Sequence, residues 1–270
     1  MSRLPGQVAI VTGGGRGVGR AIAEALAAEG AAVALAARSE AELAEAAARL
    51  ERAVAVPTDV TRPGDVERLI ETVEGELGPP TLLVAGAGTW EHVGPAWEGD
   101  PEAWWRDVEV TLRGAYLCAR AVLPGMLARG TGRIVAVSSY AANQPRPWSS
   151  GYASGKAALL RFVDSLAAEV AGRGVSVFAI TPGFVRTRLV EEVARPEDGG
   201  RWLPELGERP DALEPERAGR LVVELATGRA DALSGRFLHV LDDLDDLVTH
   251  AEEIVRTDLY ALRFRREPAQ

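Results

Sequence analysis

Val8-Ala9-Ile10-Val11-Thr12-Gly13-Gly14-Gly15-Arg16-Gly17-Val18-Gly19 is an apolar run that breaks into a glycine-rich turn, and Ala21-Ile22-Ala23-Glu24-Ala25-Leu26 continues it as a helical pattern. Glycines permit a tight turn and let backbone amides approach a pyrophosphate, while the N-terminus of the following helix supplies partial positive charge. A glycine-rich loop alone is often only a loop. Between a strand and a helix it points to dinucleotide binding, with Gly13, Gly15, Arg16, Gly17, Val18 and Gly19 as the contact positions.

Outward from this stretch, short β-rich runs alternate with longer helical patterns. Strands are expected at 7–12, 32–36, 54–56, 81–85, 133–138, 176–181 and 236–240, and helices near 18–29, 40–51, 65–77, 102–129, 152–171 and 215–227. Ser39 followed by Glu42 resembles a capping box opening the second helix. The alternation predicts an α/β fold: a Rossmann-type, doubly wound parallel sheet of about seven strands in a single domain. Two segments depart from it. Residues 186–211 contain Pro196, Gly199-Gly200, Pro204, Gly207 and Pro210 and read as a long irregular excursion, in a place where lids over active sites often lie. Residues 242–270 carry apolar side chains near helical period, with aspartates first and arginines last, as the helix dipole favours. The expected division is therefore a dinucleotide-binding catalytic domain over 1–241 and a docked helical extension over 242–270.

Composition sets limits. A chain of 270 residues, 47% of them hydrophobic, suits one large α/β domain with a substantial core. A net charge of -9 argues against nucleic acid as a partner. The single cysteine, Cys118, cannot form an intrachain disulfide and reads as a small buried hydrophobe; no metal-ligand spacing is present, so no metal is expected. Met1 to Gly6 lacks an apolar signal core, and no apolar run approaches bilayer length, so the expectation is a cytoplasmic protein without a membrane partner.

The chemistry concentrates in Ser149-Ser150-Gly151-Tyr152-Ala153-Ser154-Gly155-Lys156-Ala157. Tyr152 and Lys156, four apart, share a helix face, so the ammonium can reach the neighbourhood of the phenol. A nearby positive charge favours phenolate and is expected to lower the tyrosine pKa from ~10. Ser138-Ser139 lies upstream, at the end of an apolar run. The second strand ends Leu35-Ala36-Ala37-Arg38-Ser39, without the acidic residue that often bonds the adenosine ribose. Arg38, with Arg16 closing from the glycine loop, is placed to pair with a 2′-phosphate, which favours NADP(H) over NAD(H).

With these pieces in order, the sequence resembles the short-chain dehydrogenase/reductase family. The resemblance runs to about Val240 and is carried by Thr12-Gly13 through Gly17-Val18-Gly19, Asp59-Val60, Ala87-Gly88, Ser139, Tyr152 with Lys156, and Pro182-Gly183 to Thr187. It implies that Tyr152 is the general acid in carbonyl reduction and the base in alcohol oxidation. It further implies that Lys156 binds the nicotinamide ribose and that Ser139 hydrogen-bonds the substrate oxygen. Asp59 is placed near the adenine and Thr187 near the carboxamide, with Val60, Ala87, Gly88, Pro182, Gly183 and Val185 also lining the cofactor. A homo-oligomer, dimer or tetramer, is implied as well.

Three departures stand out. The fourth strand ends Ala85-Gly86-Ala87-Gly88 where the family usually has Asn-Asn-Ala-Gly. Thr111 stands where a catalytic asparagine, associated with a water relay to the lysine, is usual. The last strand leads into His239-Val240-Leu241-Asp242-Asp243 rather than an Asp-Gly-Gly turn. Trp90, Trp148 and Trp202 are candidates to line an apolar or aromatic substrate pocket, and His92 is given no catalytic role. The expected activity is a ketoreductase: reduction of a small-molecule ketone or other carbonyl with NADPH. The alternatives are an alcohol dehydrogenase working oxidatively, and a cofactor-binding regulatory or scaffold homologue without turnover.

Overall fold

The computed structural model describes residues 2–195 and 199–263. Seven strands form one sheet: β1 (Val8–Thr12), β2 (Ala32–Ala37), β3 (Ala53–Pro57), β4 (Leu82–Ala85), β5 (Gly132–Val137), β6 (Val175–Thr181) and β7 (Phe237–His239). All are parallel, in the spatial order β3-β2-β1-β4-β5-β6-β7. The chain moves outward from β1 to β3, then returns to the other side of β1 at β4. The doubly wound α/β sheet read from the sequence is therefore present, and its switch point lies between β1 and β4.

Between strands run α1 (Gly17–Ala28), α2 (Glu40–Ala47), α3 (Pro63–Glu76), α4 (Pro101–Val108), α5 (Gly114–Arg129) and α6 (Ser150–Glu169). Beyond β6 come α7 (Arg188–Val193), α8 (Gly199–Trp202), α9 (Glu205–Glu208) and α10 (Glu216–Ala226), and beyond β7 come α11 (Leu244–Thr249) and α12 (Ala251–Arg256). Alternating side chains divide the strands between two cores. Val8 and Ile10 join Leu69, Cys118, Met126 and Leu159 on one face. Ala9 and Val11 join Ile22, Leu26, Leu43 and Val222 on the other. Burial on both sides explains why the strands read as unbroken apolar runs. Cys118 is buried, and that burial pushes its thiol up to about 12.

Ser39 caps α2 as its sequence suggests, its Oγ accepting the Glu42 amide at 3.3 Å. Three expectations change. The long helix expected over 102–129 is divided: a π-helical turn, Glu109–Arg113, joins α4 to α5, a deviation that periodicity cannot reveal. The excursion at 186–211 holds three short helices rather than coil, with Pro196 outside the described residues. The tail forms two short helices whose Leu247, Ala251 and Ile254 enter the second core; its residues 264–270 lie outside the described residues. Among the described residues no helix is long and apolar enough to cross a membrane.

Candidate active site

A cavity of about 1200 Å³ opens at the carboxyl ends of the strands, over the β1/β4 switch point. Gly13, Gly15, Arg16, Gly17, Val18 and Gly19 form one end of its lining. Gly13 and Gly17 have φ of 70° and 56°, the left-handed region that favours glycine. A Cβ on Gly19 would lie 2.2 Å from the Gly13 carbonyl oxygen, so only glycine lets α1 start this close to the turn. Arg38, Asp59, Val60, Ala87, Gly88, Pro182, Gly183, Val185 and Thr187 continue the lining, and Ser139, Tyr152 and Lys156 complete it. Every catalytic and cofactor candidate read from the sequence therefore meets this one cavity except Thr111, which lies just behind it.

The loop after β4 is braced by Thr12. Its Oγ1 accepts the Gly86 and Ala87 amides at 3.1 and 3.2 Å. A Cβ on Gly13 would stand 2.9 Å from the Gly86 carbonyl oxygen, so the two loops touch backbone to backbone. The sequence places Thr12 at the end of a strand and at the head of the glycine motif, but does not show this brace, whose partners lie 74 and 75 residues on. The Asp59 carboxylate accepts from Thr61 and faces Arg106 at 3.3 Å, linking the end of β3 to α4. These bonds hold its carboxyl below the usual range, although burial acts the other way.

Lys156, on α6 one turn beyond Tyr152, places its Nζ 5.7 Å from the Tyr152 ring centroid and donates at 2.8 Å to the Val137 carbonyl at the end of β5. Burial lowers its pKa to about 8. The expected lowering of the Tyr152 pKa by this ammonium is not what the surroundings produce. Burial raises the phenol, the Ser139 hydroxyl pulls it down, Asp107 raises it and Arg146 lowers it, and the net shift is upward. Sequence spacing finds the lysine but not the desolvation, which is the largest influence on the phenol.

Thr111 sits in the π-helical turn, buried, and its Oγ1 has no hydrogen-bond partner among the described residues. A Cβ built on Gly88 would lie 3.5 Å from Lys156 Nζ and 3.8 Å from Thr111 Oγ1, so hydroxyl and ammonium flank one point beside the cavity. A buried hydroxyl in this position suits a water bridging toward Lys156.

The tryptophans behave differently from one another. Trp90 lines the cavity and stacks on Tyr152, with centroids 4.5 Å apart and planes within 12°. Trp148 and Trp202 instead pack on each other at 4.7 Å, in an apolar cluster with Val193, Leu203 and Leu206 beneath the excursion. Both are half-buried against that cluster and do not line the main cavity. Trp148 adopts φ 64°, a costly conformation for a bulky residue. Tyr140 and His239, neither a site candidate from sequence reading, stack 4.9 Å apart and line the cavity.

The residues fit a dinucleotide: a glycine cradle at the start of α1, a channel crossing the switch point, and polar side chains at its far end. At the adenosine end, Arg38 is exposed, while Arg16 stands 3.9 Å from Glu42 and 3.8 Å from Glu192.

The family model for short chain dehydrogenases matches residues 7–198. A short chain dehydrogenase of Pseudocercospora fijiensis is 36% identical over 268 residues, covering 93% of this chain and 85% of the relative. Galactitol 2-dehydrogenase of Rhizobium johnstonii is 36% identical over 248 residues, covering 88% and 95%. The crystal structure of 3-ketoacyl-(acyl-carrier-protein) reductase from Brucella melitensis, complexed with NADH, superposes with a TM-score of 0.79 at 28% identity, covering 88% of this chain and 97% of that one. Sequence, topology and cavity thus agree, and the chain belongs to the short-chain dehydrogenase/reductase family, as an oxidoreductase.

Proposed function

We propose that the protein is an NADPH-dependent carbonyl reductase in which Tyr152 donates the proton. The observation that carries this reading is the meeting of Ser139, Tyr152 and Lys156 at the inner end of a cavity whose outer end is a glycine cradle. When bound, the nicotinamide supplies the hydride. Ser139 and Tyr152 orient the substrate oxygen by hydrogen bonding. Burial raises the Tyr152 phenol above its ordinary value, favouring the protonated form that a general acid needs when alkoxide charge develops. Lys156 holds positive charge behind the phenol and takes a hydroxyl of the cofactor ribose. The hydroxyl of Thr111 passes protons toward Lys156 through a bridging water.

Gly13 to Gly19 receive the pyrophosphate, Asp59 and Val60 the adenine, and Pro182, Gly183, Val185 and Thr187 the carboxamide side. Arg38 pairs with the 2′-phosphate, which supports NADP(H) over NAD(H). The second reading is an NAD(H)-linked alcohol dehydrogenase. Glu42 and Glu192 beside Arg16 disfavour an extra phosphate, one relative is a galactitol 2-dehydrogenase and the similar crystal structure holds NADH.

Absorbance at the reduced nicotinamide band, followed over a panel of ketones and alcohols with both cofactors, separates the two readings. Ketone-dependent loss of NADPH is expected, and Tyr152→Phe should abolish it while leaving NADPH binding intact. A Tyr152→Phe enzyme with parental turnover would remove Tyr152 from the chemistry.

A further inference from the structure

Asp107 has no part in the reading above, yet it is the carboxylate most completely enclosed near the site. It is fully buried on α4, next to the π-helical turn. Its Oδ1 accepts the Glu91 amide at 2.7 Å and the Thr89 hydroxyl at 3.1 Å, and its Oδ2 accepts the His92 amide at 3.2 Å. A buried carboxylate is costly unless its oxygens are bonded, so these three bonds fix its place and the loop's place together.

The donors bracket Trp90. The face of that side chain lies on the Tyr152 ring at 4.5 Å, its Nε1 donates to Ser149 Oγ at 3.2 Å, one residue before α6, and it packs against the Val193, Leu203 and Leu206 cluster. The same helix pair is pressed together at two glycines. A Cβ on Gly151 would lie 2.9 Å from the Trp104 carbonyl oxygen and 3.3 Å from Asp107 Oδ2, and one on Gly155 would lie 3.1 Å from the Asp107 carbonyl oxygen. Gly151 and Gly155 flank Tyr152 on α6. The carboxylate, the loop and the tyrosine turn therefore form one closed packing unit.

We propose that Asp107 is a positioning residue: by tying down Thr89, Glu91 and His92 it holds the Trp90 indole flat against Tyr152 and so sets the plane in which the phenol meets a substrate. Its importance for turnover rests on the reading of Tyr152 as proton donor, whereas the coupling itself does not. The distinction matters because a misplaced reacting group costs rate steeply, about 10²-fold for an error near 1 Å.

The test uses ring-proton resonances of the full-length protein labelled at tyrosine. There are four tyrosines in the chain, and Tyr152→Phe assigns the signal of interest. An indole stacked on a ring shifts its protons upfield, so Trp90→Ala should move the Tyr152 signals downfield, and Trp90→Phe should restore part of the shift. Asp107→Asn, which turns one acceptor into a donor facing an amide, should move them partway in the same direction in the folded protein. The double variant Asp107→Asn with Trp90→Ala should coincide with Trp90→Ala alone. Parental Tyr152 shifts in Asp107→Asn would overturn the proposal, and so would additive shifts in the double variant. Should Asp107→Asn fail to fold, Thr89→Val removes one of the three clamp bonds and must give a smaller shift in the same direction; no shift there refutes the coupling. None of these readings needs a substrate, so an enzyme inactive on every ketone tried leaves them decisive.

Discussion

Thr12→Val isolates the brace on the loop after β4. Valine keeps the shape and removes one hydroxyl, which accepts the Gly86 amide at 3.1 Å and the Ala87 amide at 3.2 Å. Thr12 is buried, while both amides belong to half-buried residues beside the cavity, where water can reach part of the way. A stranded N–H costs about 1–3 kcal/mol. With partial access to water the low end applies, and two amides together lose about 2 kcal/mol. For a chain of 270 residues, that corresponds to a drop of about 4 °C in melting temperature. Because the freed loop includes Ala87 and Gly88, which line the cavity, NADPH binding should weaken as well, and Thr12→Ser, which keeps the acceptor, should recover both properties. Thermal melts with and without NADPH, together with a fluorescence titration, provide the assay. A valine variant that melts within about 1 °C of the parent and binds NADPH equally well would refute the bracing argument.

Arg38→Ala should narrow the preference for NADPH over NADH by roughly tenfold, since a charge-assisted phosphate contact at an exposed site is worth about 1.5 kcal/mol; equal affinities in the parent would defeat the 2′-phosphate assignment. Thr111→Val should slow single turnover severalfold while preserving NADPH binding, because the orphaned hydroxyl is the group removed; a valine enzyme as fast as the parent at every pH excludes a relay through it. Lys156→Met should stabilise the cofactor-free protein, with a definite pH dependence. The lysine has a pKa of about 8 when folded against ~10.4 unfolded, so the unfolded chain binds more protons between these values. The parent therefore gains stability as pH rises from 8 to about 10.4, and the advantage of methionine, largest below pH 8, should shrink across that window. Denaturant melts showing the same difference at pH 7 and pH 10 would contradict the burial of a charged lysine.

Part of the candidate site was legible because its chemistry is local. The glycines before α1 are adjacent in sequence and act through their own backbone, so their pattern reads directly. Tyr152 and Lys156 are one helical turn apart, and the cap on α2 needs only Ser39 and the Glu42 amide three residues on. What remained hidden involves partners far apart in the chain. Thr12 braces residues 86 and 87 across the switch point, Asp107 bonds a loop many residues upstream, and Tyr140 meets His239 only because β5 and β7 flank β6. The tryptophans illustrate the same limit: three looked equivalent along the chain, yet one stacks on Tyr152 while the other two pack on each other.

The sequence by itself determined the parallel sheet, the glycine cradle and the tyrosine–lysine pair, since periodicity, turn chemistry and helical spacing are short-range properties of the backbone. Folding alone sets the direction of the Tyr152 pKa shift, the bracing of the loop after β4 and the π-helical turn that carries Thr111 to the side of Gly88 near Lys156. Those depend on desolvation and on hydrogen bonds between distant segments, both of which exist only once the two cores have closed around the sheet.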